Sequence, residues 1–275
     1  MDRRSRLALI DEILVKIREK GVAYLRELQV LLENPPKVEH WDVTNTLRKY
    51  IGSRVGARSY RNYRWFYDLR ATQWADVQGI ADEKAELIDY YSKYARENEF
   101  VSQPQGIRYD DYSEYLVEDA LRQAGFIVTG KNSTYFDGRQ YVPTAVQPGR
   151  PADLDFTAVS RSKQVFVGVS VKNRLDYPTS GDIDQVLVIC DVLKLKPLLV
   201  ARMASAEAFG RVPAAGGRVV PFKRWLLKPG MPRNMFDQIS DAGRGKSVLA
   251  LPVSIYRYAP SMLVELLKEA HRVLG

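Results

Sequence analysis

The sequence predicts an α/β domain, with a mixed β-sheet flanked by helices, preceded by a smaller and mainly α-helical domain. Two short β-branched runs, over 154–159 and 165–171, indicate strands joined by a turn at 160–163. An apolar helical run, GDIDQVLVICDVLK, and a further strand in PLLVAR follow them. Three helix-like segments precede them near the start of the chain. We therefore expect a domain over 1–70, a helical connector over 71–107 and the α/β domain over 108–275.

The composition is that of a basic globular chain. Of 275 residues, 45% are hydrophobic and 27% charged, the net charge is +8 and the pI is about 9.4. This balance favours a polyanionic partner such as nucleic acid. One cysteine and two histidines exclude an internal disulfide and a Cys/His zinc site. No apolar run predicts a membrane span. We expect a cytoplasmic, nucleoid-associated protein, and the frequent Arg, Tyr and Val are typical of an archaeal or thermophilic one.

The first domain begins with three segments of helical periodicity. Residues 5–20, 23–32 and 41–51 each place their apolar side chains on one face. Two short segments follow, over 54–57 and 60–67, and the second is rich in aromatic residues. Three helices followed by a β-hairpin are the order of a winged helix-turn-helix domain. In that fold the third helix enters the major groove and the hairpin touches the DNA backbone.

Basic and aromatic residues interleave over the third helix and the hairpin. Residues 43–67 include six basic residues and no acid. We expect phosphate contacts from these cations and base contacts from Thr44, Asn45 and Arg48. The alternative is a winged helix used for protein contacts or dimerisation, with a solvated basic face. The predicted DNA-binding residues are Thr44, Asn45, Arg48, Lys49, Arg54, Arg58, Arg61 and Arg64.

A carboxylate and a lysine stand on the two predicted strands of the second domain. Asp155 lies on the first strand and Lys172 follows the second. They can converge as in a metal-assisted phosphodiesterase, where the carboxylate holds Mg²⁺ and the lysine positions or activates the attacking water. Asp153 shares the strand face of Asp155, because it lies two residues away. On the preceding predicted helix, Glu114 and Glu118 lie four residues apart on one face and are further candidates.

Residues 109–203 resemble the PD-(D/E)XK nuclease superfamily and, within it, the archaeal Holliday-junction resolvases. The family order is an acid on a helix, Asp on a strand, Glu-x-Lys on the next strand, and a helix that often carries Gln. The resemblance matches Glu114, Asp155, Lys172 and Gln185 to these positions. It implies a restriction-endonuclease-like fold, cleavage of DNA dependent on Mg²⁺ or Mn²⁺, and a homodimer.

The chain departs from this family at Ser170, which stands where the family has Glu. A hydroxyl is a weaker Mg²⁺ ligand than a carboxylate, because the hard ion prefers charged oxygen. The metal then rests on Glu114, Asp155, a backbone carbonyl near Val171 and waters, or a migrated acid substitutes, or the site is degenerate and binds DNA without cleaving it. The candidate migrated acids are Asp153, Asp176, Asp182 and Asp184.

We therefore expect Mg²⁺-dependent hydrolysis of DNA phosphodiester bonds, in repair, recombination or mobile-element processing. Ser170 would bond a metal-bound water, and Gln185 would orient a water or contact the DNA backbone. The alternatives are a non-catalytic DNA-binding or regulatory protein and an assembly module. The predicted catalytic residues are Lys172, Asp155, Glu114, Ser170 and Gln185, and the predicted metal ligands are Glu114, Asp155, Asp153 and Glu118.

Overall fold

The computed structural model describes residues 3–35, 37–100, 109–142, 153–160, 164–174, 176–227, 253–255 and 258–274. Over these residues the chain is a mixed α/β protein with eight helices, which confirms the predicted class. It divides into two compact units, Met1–Ser102 with Gly230–Val253 and Gln103–Pro229 with Ser254–Gly275. The predicted turn at 160–163 lies, after its first residue, outside the described residues.

The first unit contains the predicted three helices and hairpin. Its elements are α1 (Arg3–Lys20), β1 (Ala23–Tyr24), α2 (Leu25–Leu32), α3 (His40–Tyr50), β2 (Val55–Tyr60), β3 (Tyr63–Asp68) and α4 (Trp74–Phe100). The strand order is β1-β3-β2. The second helix begins at Leu25, later than predicted, because Ala23 and Tyr24 pair with β3.

The prediction that the first hairpin strand ends at residue 57 is wrong, because β2 ends at Tyr60. Pairing between β2 and β3 continues to Tyr60 opposite Tyr63. The turn is the two residues Arg61 and Asn62, both with positive φ. Two consecutive residues in the left-handed region are typical of the tight type I′ turn, whose twist matches that of the strands.

Helices cover both faces of this small sheet. Val55 and Phe66 lie in an apolar core with side chains of α1, α2 and α3. On the other face the Tyr67 ring lies over Gly56, where a Cβ atom would come within 2.2 Å of the ring. Trp74 of α4 packs against Tyr67 with 6.0 Å between ring centroids. The hairpin is therefore enclosed between α1–α3 and the start of α4.

A buried ion pair anchors α4 to this unit. Lys84 Nζ donates to both carboxylate oxygens of Glu27 at 3.0 Å and to the carbonyl oxygen of Val22 at 2.6 Å. Both charged side chains have zero exposure. Burial lowers the pKa of Lys84, and the charge of Glu27 opposes that shift. The helix predicted as a connector is thus fastened to the first unit through its buried side.

The second unit is built on a five-stranded mixed sheet. Its elements are α5 (Tyr109–Gln123), β4 (Phe126–Ser133), β5 (Tyr135–Phe136), β6 (Arg139–Gln140), β7 (Leu154–Ser160), β8 (Val165–Lys172), α6 (Ser180–Leu193), β9 (Lys196–Ala201), α7 (Ala206–Ala214), β10 (Arg218–Pro221), β11 (Trp225–Leu227), β12 (Val253–Ile255, of which the first residue is counted with the first unit) and α8 (Ser261–Leu274). The sheet order is β10-β9-β8-β7-β4. Strands β8, β9 and β10 are parallel, and β7 is antiparallel to its neighbours β8 and β4.

The prediction of a mixed sheet flanked by helices is confirmed by the packing on its two faces. One face is covered by α5 and α8, with Phe156, Val169 and Val200 in the shared core. The other is covered by α6 and α7. At Gly168 of β8 a Cβ atom would come within 2.6 Å of Cys190 Sγ on α6. Burial raises the pKa of Cys190 to about 12, so this thiol serves as a small packing group.

Candidate functional site

The carboxyl ends of β8, β9 and β10 meet the amino end of β7 at one edge of the large sheet. Because β7 runs antiparallel to β8, Asp153 and Asp155 reach the same edge as Lys172, the last residue of β8. Lys172 lies beside Ala201, the last residue of β9. Open α/β sheets bind ligands at the carboxyl ends of their strands. This edge is therefore the candidate site.

Strands β7 and β8 separate where they reach this edge. Their last paired residues are Phe156 and Val169. Beyond that pair, Asp155 Oδ2 accepts a hydrogen bond from the Val171 N–H at 2.5 Å. The carboxylate thereby continues the contact between the strands in place of a backbone carbonyl. This bond fixes one oxygen of Asp155 and does not engage the other.

Asp153, Asp155 and Lys172 form a charged group at this point. Burial raises the pKa of Asp153, the charge of Asp155 raises it further, and the charge of Lys172 offsets part of the rise. Two neighbouring carboxylates that repel each other suit a bound cation, and carboxylate oxygens are the ligands that Mg²⁺ prefers. The pair of aspartates therefore fits a divalent metal ion.

The two acids of α5 have different surroundings. Glu118 is paired with Arg122 at 2.7 Å and with Lys131. Burial alone would raise the pKa of Glu118, but these two cations outweigh it and the pKa is lowered. Glu114, one turn earlier, is half-buried. Within the described residues no three His, Cys, Asp or Glu side chains are grouped so as to hold a metal, so the predicted set of Glu114, Glu118 and the aspartates is not assembled.

Ser170 and Gln185 are less accessible than the charged group. Ser170 is 2% exposed and lies beside Leu199 of β9. Because side chains alternate along a strand, Ser170 shares the face of Gly168 that α6 covers. Gln185 is half-buried within α6. A buried neutral hydroxyl supplies no negative charge at the position where the resembling family has Glu.

The acids proposed as substitutes for that Glu are, with the exception of Asp153, engaged in other ways or exposed. Asp182 accepts hydrogen bonds from the backbone N–H and the hydroxyl of Thr179, both at 2.6 Å, and pairs with Arg174. Burial raises the pKa of Asp182, but the contacts with Thr179 and Arg174 outweigh it, so the pKa is lowered. Asp184 pairs with Arg211. Asp176 is exposed.

Arg202 supports the candidate site, and the sequence interpretation missed it. Its side chain has zero exposure, and its Nε donates to the carbonyl oxygen of Arg174 at 3.3 Å. Its backbone N–H donates to the carbonyl oxygen of Lys172 at 3.0 Å, and its own carbonyl accepts from Lys223 at 2.7 Å. Arg202 thus joins the chain at the ends of β8, β9 and β10. The available signal was a charged residue directly after the apolar strand PLLVA.

The predicted DNA-binding residues of α3 and the hairpin fall into two groups. Arg48, Lys49 and Arg64 are exposed, and within the described residues none of them forms an ion pair. Thr44 is 7% exposed, and its hydroxyl donates to the His40 carbonyl at 3.0 Å. Thr44 therefore lies inside the unit and does not face solvent. Asn45, its neighbour, is half-buried.

The other three cations of the hairpin region contact other parts of the same unit. Arg54 pairs with Asp11 at 2.6 Å. The Arg58 guanidinium lies over the Trp74 ring, 5.8 Å from its centroid. Arg61 pairs with two acids of α4, Asp82 at 2.9 Å and Glu86 at 3.3 Å. Half of the six cations predicted to contact phosphate are thus engaged within the unit.

Comparison with known proteins finds no matching family model, no similar curated protein and no similar solved structure. Among the described residues, none of the helices has the length and apolar character needed to cross a membrane. What can be inferred about function therefore depends on the residues gathered at the sheet edge and on the hairpin.

Proposed function

We propose that this protein is a Mg²⁺-dependent endonuclease that hydrolyses DNA phosphodiester bonds at the carboxyl edge of its large sheet. The observation that carries this proposal is the convergence of Asp153, Asp155 and Lys172 where β7 and β8 separate. Two acids and a lysine at this point are the arrangement implied by the resemblance to PD-(D/E)XK nucleases. Asp153 takes the part of the acid that Ser170 does not provide.

Each residue of the charged group has a distinct part in this proposal. Asp153 and Asp155 would hold the metal ion, with waters as its remaining ligands. A divalent ion bound there neutralises phosphate charge and lowers the pKa of a bound water. Lys172 orients the attacking water or stabilises the charge on the pentavalent phosphate. The backbone N–H of Arg202 donates to the carbonyl oxygen of Lys172 and so fixes the backbone from which this lysine projects.

The first unit supports binding of DNA. Its order of α1, β1, α2, α3 and a hairpin is that of a winged helix-turn-helix domain. Arg48 and Lys49 at the end of α3, together with Arg64 on β3, are exposed cations. They would contact phosphates, which position a protein on DNA without reading its sequence.

A second function, DNA binding without cleavage, is favoured by one observation. Ser170 replaces the carboxylate of the resembling family and is buried. Among the described residues no three acids are grouped to hold a metal ion, and Asp153 and Asp155 are the pair found together at this edge. A site with two carboxylates in place of three binds a metal more weakly, and a protein with such a site would act as a regulatory or architectural DNA-binding factor.

A cleavage assay separates the two functions. The substrates are plasmid, linear duplex, single-stranded and four-way-junction DNA, with Mg²⁺ or Mn²⁺. We expect metal-dependent products that Lys172→Ala and Asp155→Ala abolish. Asp191→Asn and Lys194→Ala are matched controls, because these residues pair with each other on the exposed surface at the end of α6. Binding without products on all four substrates would favour the second function.

Metal binding itself has a readout that does not depend on activity. A ligand that binds only the folded protein raises its melting temperature as its concentration rises. We expect added Mg²⁺ to stabilise the parent protein, and to stabilise Asp153→Asn and Asp155→Asn less. Equal shifts in all three proteins would show that the ion binds elsewhere.

A further inference from the structure

The tip of the β2–β3 hairpin is held by a row of acids on α4. This acidic stripe comprises Asp82, Glu86 and Asp89, which are spaced so that they lie on one face of the helix. Arg61, in the turn of the hairpin, pairs with the first two members of the stripe, at 2.9 and 3.3 Å. Arg61, the cation in the turn of the hairpin, therefore already faces carboxylates.

Two tyrosines beside the turn make further contacts with the stripe. The Tyr60 hydroxyl donates to Asp82 at 2.9 Å, and the Tyr63 hydroxyl donates to Asp89 at 2.5 Å. These two residues pair with each other across the hairpin and flank its turn. All three carboxylates of the stripe are thus directed at the tip of the hairpin. At 1.5 Å per residue the stripe spans roughly 10 Å of helix, and it offers the hairpin a line of negative charges as a nucleic-acid strand does.

The ion pair between Arg61 and Glu86 is exposed, whereas the anchor of α4 is buried. The side chains of Arg61 and Glu86 are 40% and 71% exposed, and solvent-exposed ion pairs contribute little because water screens them. The Lys84–Glu27 pair has zero exposure and holds the helix independently. A phosphate can therefore displace a carboxylate of the stripe from Arg61 without detaching α4.

We infer that the acidic stripe occupies the hairpin tip in the free protein and competes there with DNA phosphates, so that α4 limits the affinity of the first unit for DNA. This inference rests on the proposed DNA-binding function. In the parent protein the stripe keeps Arg61 largely away from phosphate, whereas Arg48, Lys49 and Arg64 form no ion pair within the described residues and need no exchange. The stripe thus weakens binding to DNA in general, and its neutralisation strengthens it.

The test is the DNA affinity of variants that remove the charge of the stripe while keeping its shape. The triple variant Asp82→Asn, Glu86→Gln, Asp89→Asn is expected to bind a labelled duplex about ten-fold more tightly, because the two ion pairs of Arg61 are lost from the free state and two tyrosine hydrogen bonds lose their charged acceptors. The slope of log affinity against log salt should steepen by about one, because Arg61 now contacts a phosphate.

A matched pair of single variants separates the stripe from net charge. Glu86→Gln and Glu83→Gln remove one negative charge from the same helix, and both residues are exposed. Glu83 lies three residues before Glu86, but among the described contacts none joins its carboxylate to the hairpin. We expect about three-fold tighter binding for Glu86→Gln and unchanged binding for Glu83→Gln. Glu86→Gln retains both tyrosine contacts, so it folds even where the triple variant does not.

Arg61→Ala completes the experiment as a double-mutant cycle. In the parent protein this change should alter affinity less than about two-fold, because the stripe already occupies Arg61. In the triple variant, Arg61→Ala should return the DNA affinity to that of the parent protein. Equal affinity of the triple variant and the parent, with both binding DNA, would overturn the inference and leave DNA binding intact. Equal gains for Glu83→Gln and Glu86→Gln would also overturn it. Absence of DNA binding at low salt in every protein would refute the proposed function and the inference together.

Discussion

Asp153 illustrates how a site residue works against the stability of its own fold. Burial and the charge of Asp155 raise its pKa above the ordinary value for aspartate. The unfolded chain therefore loses this proton at a lower pH than the folded protein does. Stability due to this group is complete below the unfolded pKa and is lost as pH rises through the folded pKa. The charge of the ionised carboxylate therefore costs stability, which is common at functional sites.

Asp153→Asn should raise the melting temperature at pH 7 in the absence of divalent metal, because it removes the disfavoured charge. The expected gain is about 2 °C, a modest value because the carboxylate is only partly buried. The gain should vanish near pH 3, where the parent carboxyl is protonated. Thermal unfolding followed by circular dichroism at both pH values measures the difference. A lower melting temperature for the variant at pH 7 would contradict the assignment.

At the scale of elements, the start of α6 shows why nearby acids do not all serve one site. The Thr179 hydroxyl accepts a hydrogen bond from the Asp182 N–H at 3.2 Å, and the Asp182 carboxylate accepts one from the Thr179 N–H, so the two form a capping box. This satisfies backbone groups that a helix leaves open at its first turn. Arg174 adds an ion pair to the same carboxylate. Asp182 therefore orders the loop between Lys172 and α6.

The attachment of α4 depends on the buried pair of Lys84 and Glu27. Glu27→Gln should lower the free energy of unfolding by about 3–5 kcal/mol, because it leaves the Lys84 charge buried without a counter-charge. Replacing both residues, with Glu27→Leu and Lys84→Met, should restore much of that loss, because no charge is then buried. Urea unfolding of the three proteins gives the values. A loss below about 1 kcal/mol for the single variant would mean that water reaches the pair.

At the scale of the whole molecule, the net charge of +8 predicts salt-dependent attraction to nucleic acid. In the structure, the cations that would produce this attraction differ in whether a carboxylate already pairs with them. Arg54 and Arg61 have carboxylate partners, whereas Arg48, Lys49 and Arg64 form no ion pair in the part of the chain that is described. The exposed three should therefore contribute most of the salt dependence of the first unit.

Removing those three cations together should reduce the slope of log affinity against log salt by about three, at roughly 0.9 for each phosphate contact on duplex DNA. Arg54→Ala is the matched control and should change the slope by less than about 0.5, because Asp11 already neutralises it. Affinities between roughly 50 and 200 mM salt give the slopes. If Arg54→Ala changed the slope as much as the loss of one exposed cation does, the ion pair with Asp11 would not keep Arg54 from contacting phosphate.

Much of the fold could be predicted from the local spacing of apolar residues. Helical spacing predicted α1 and α3 closely, and β-branched runs predicted β7 and β8. The position of Asp155 and Lys172 at one edge also followed from the sequence, because two antiparallel neighbours bring the start of one strand beside the end of the other. The two-residue strand β1 was missed, because it exists only through pairing with β3, about forty residues away.

The sequence by itself determined the α/β class, the basic balance and the meeting of an aspartate with a lysine, since each depends on composition or on neighbouring segments. The tertiary structure alone decided which polar side chains are paired or buried and which remain exposed. Glu118 pairs with Lys131, Arg61 with Glu86, and Ser170 is covered by α6. These outcomes depend on contacts between distant residues, and the charge or hydroxyl of a side chain does not reveal its partner. Burial and pairing, which set the chemistry of a polar group, are properties of the packed chain.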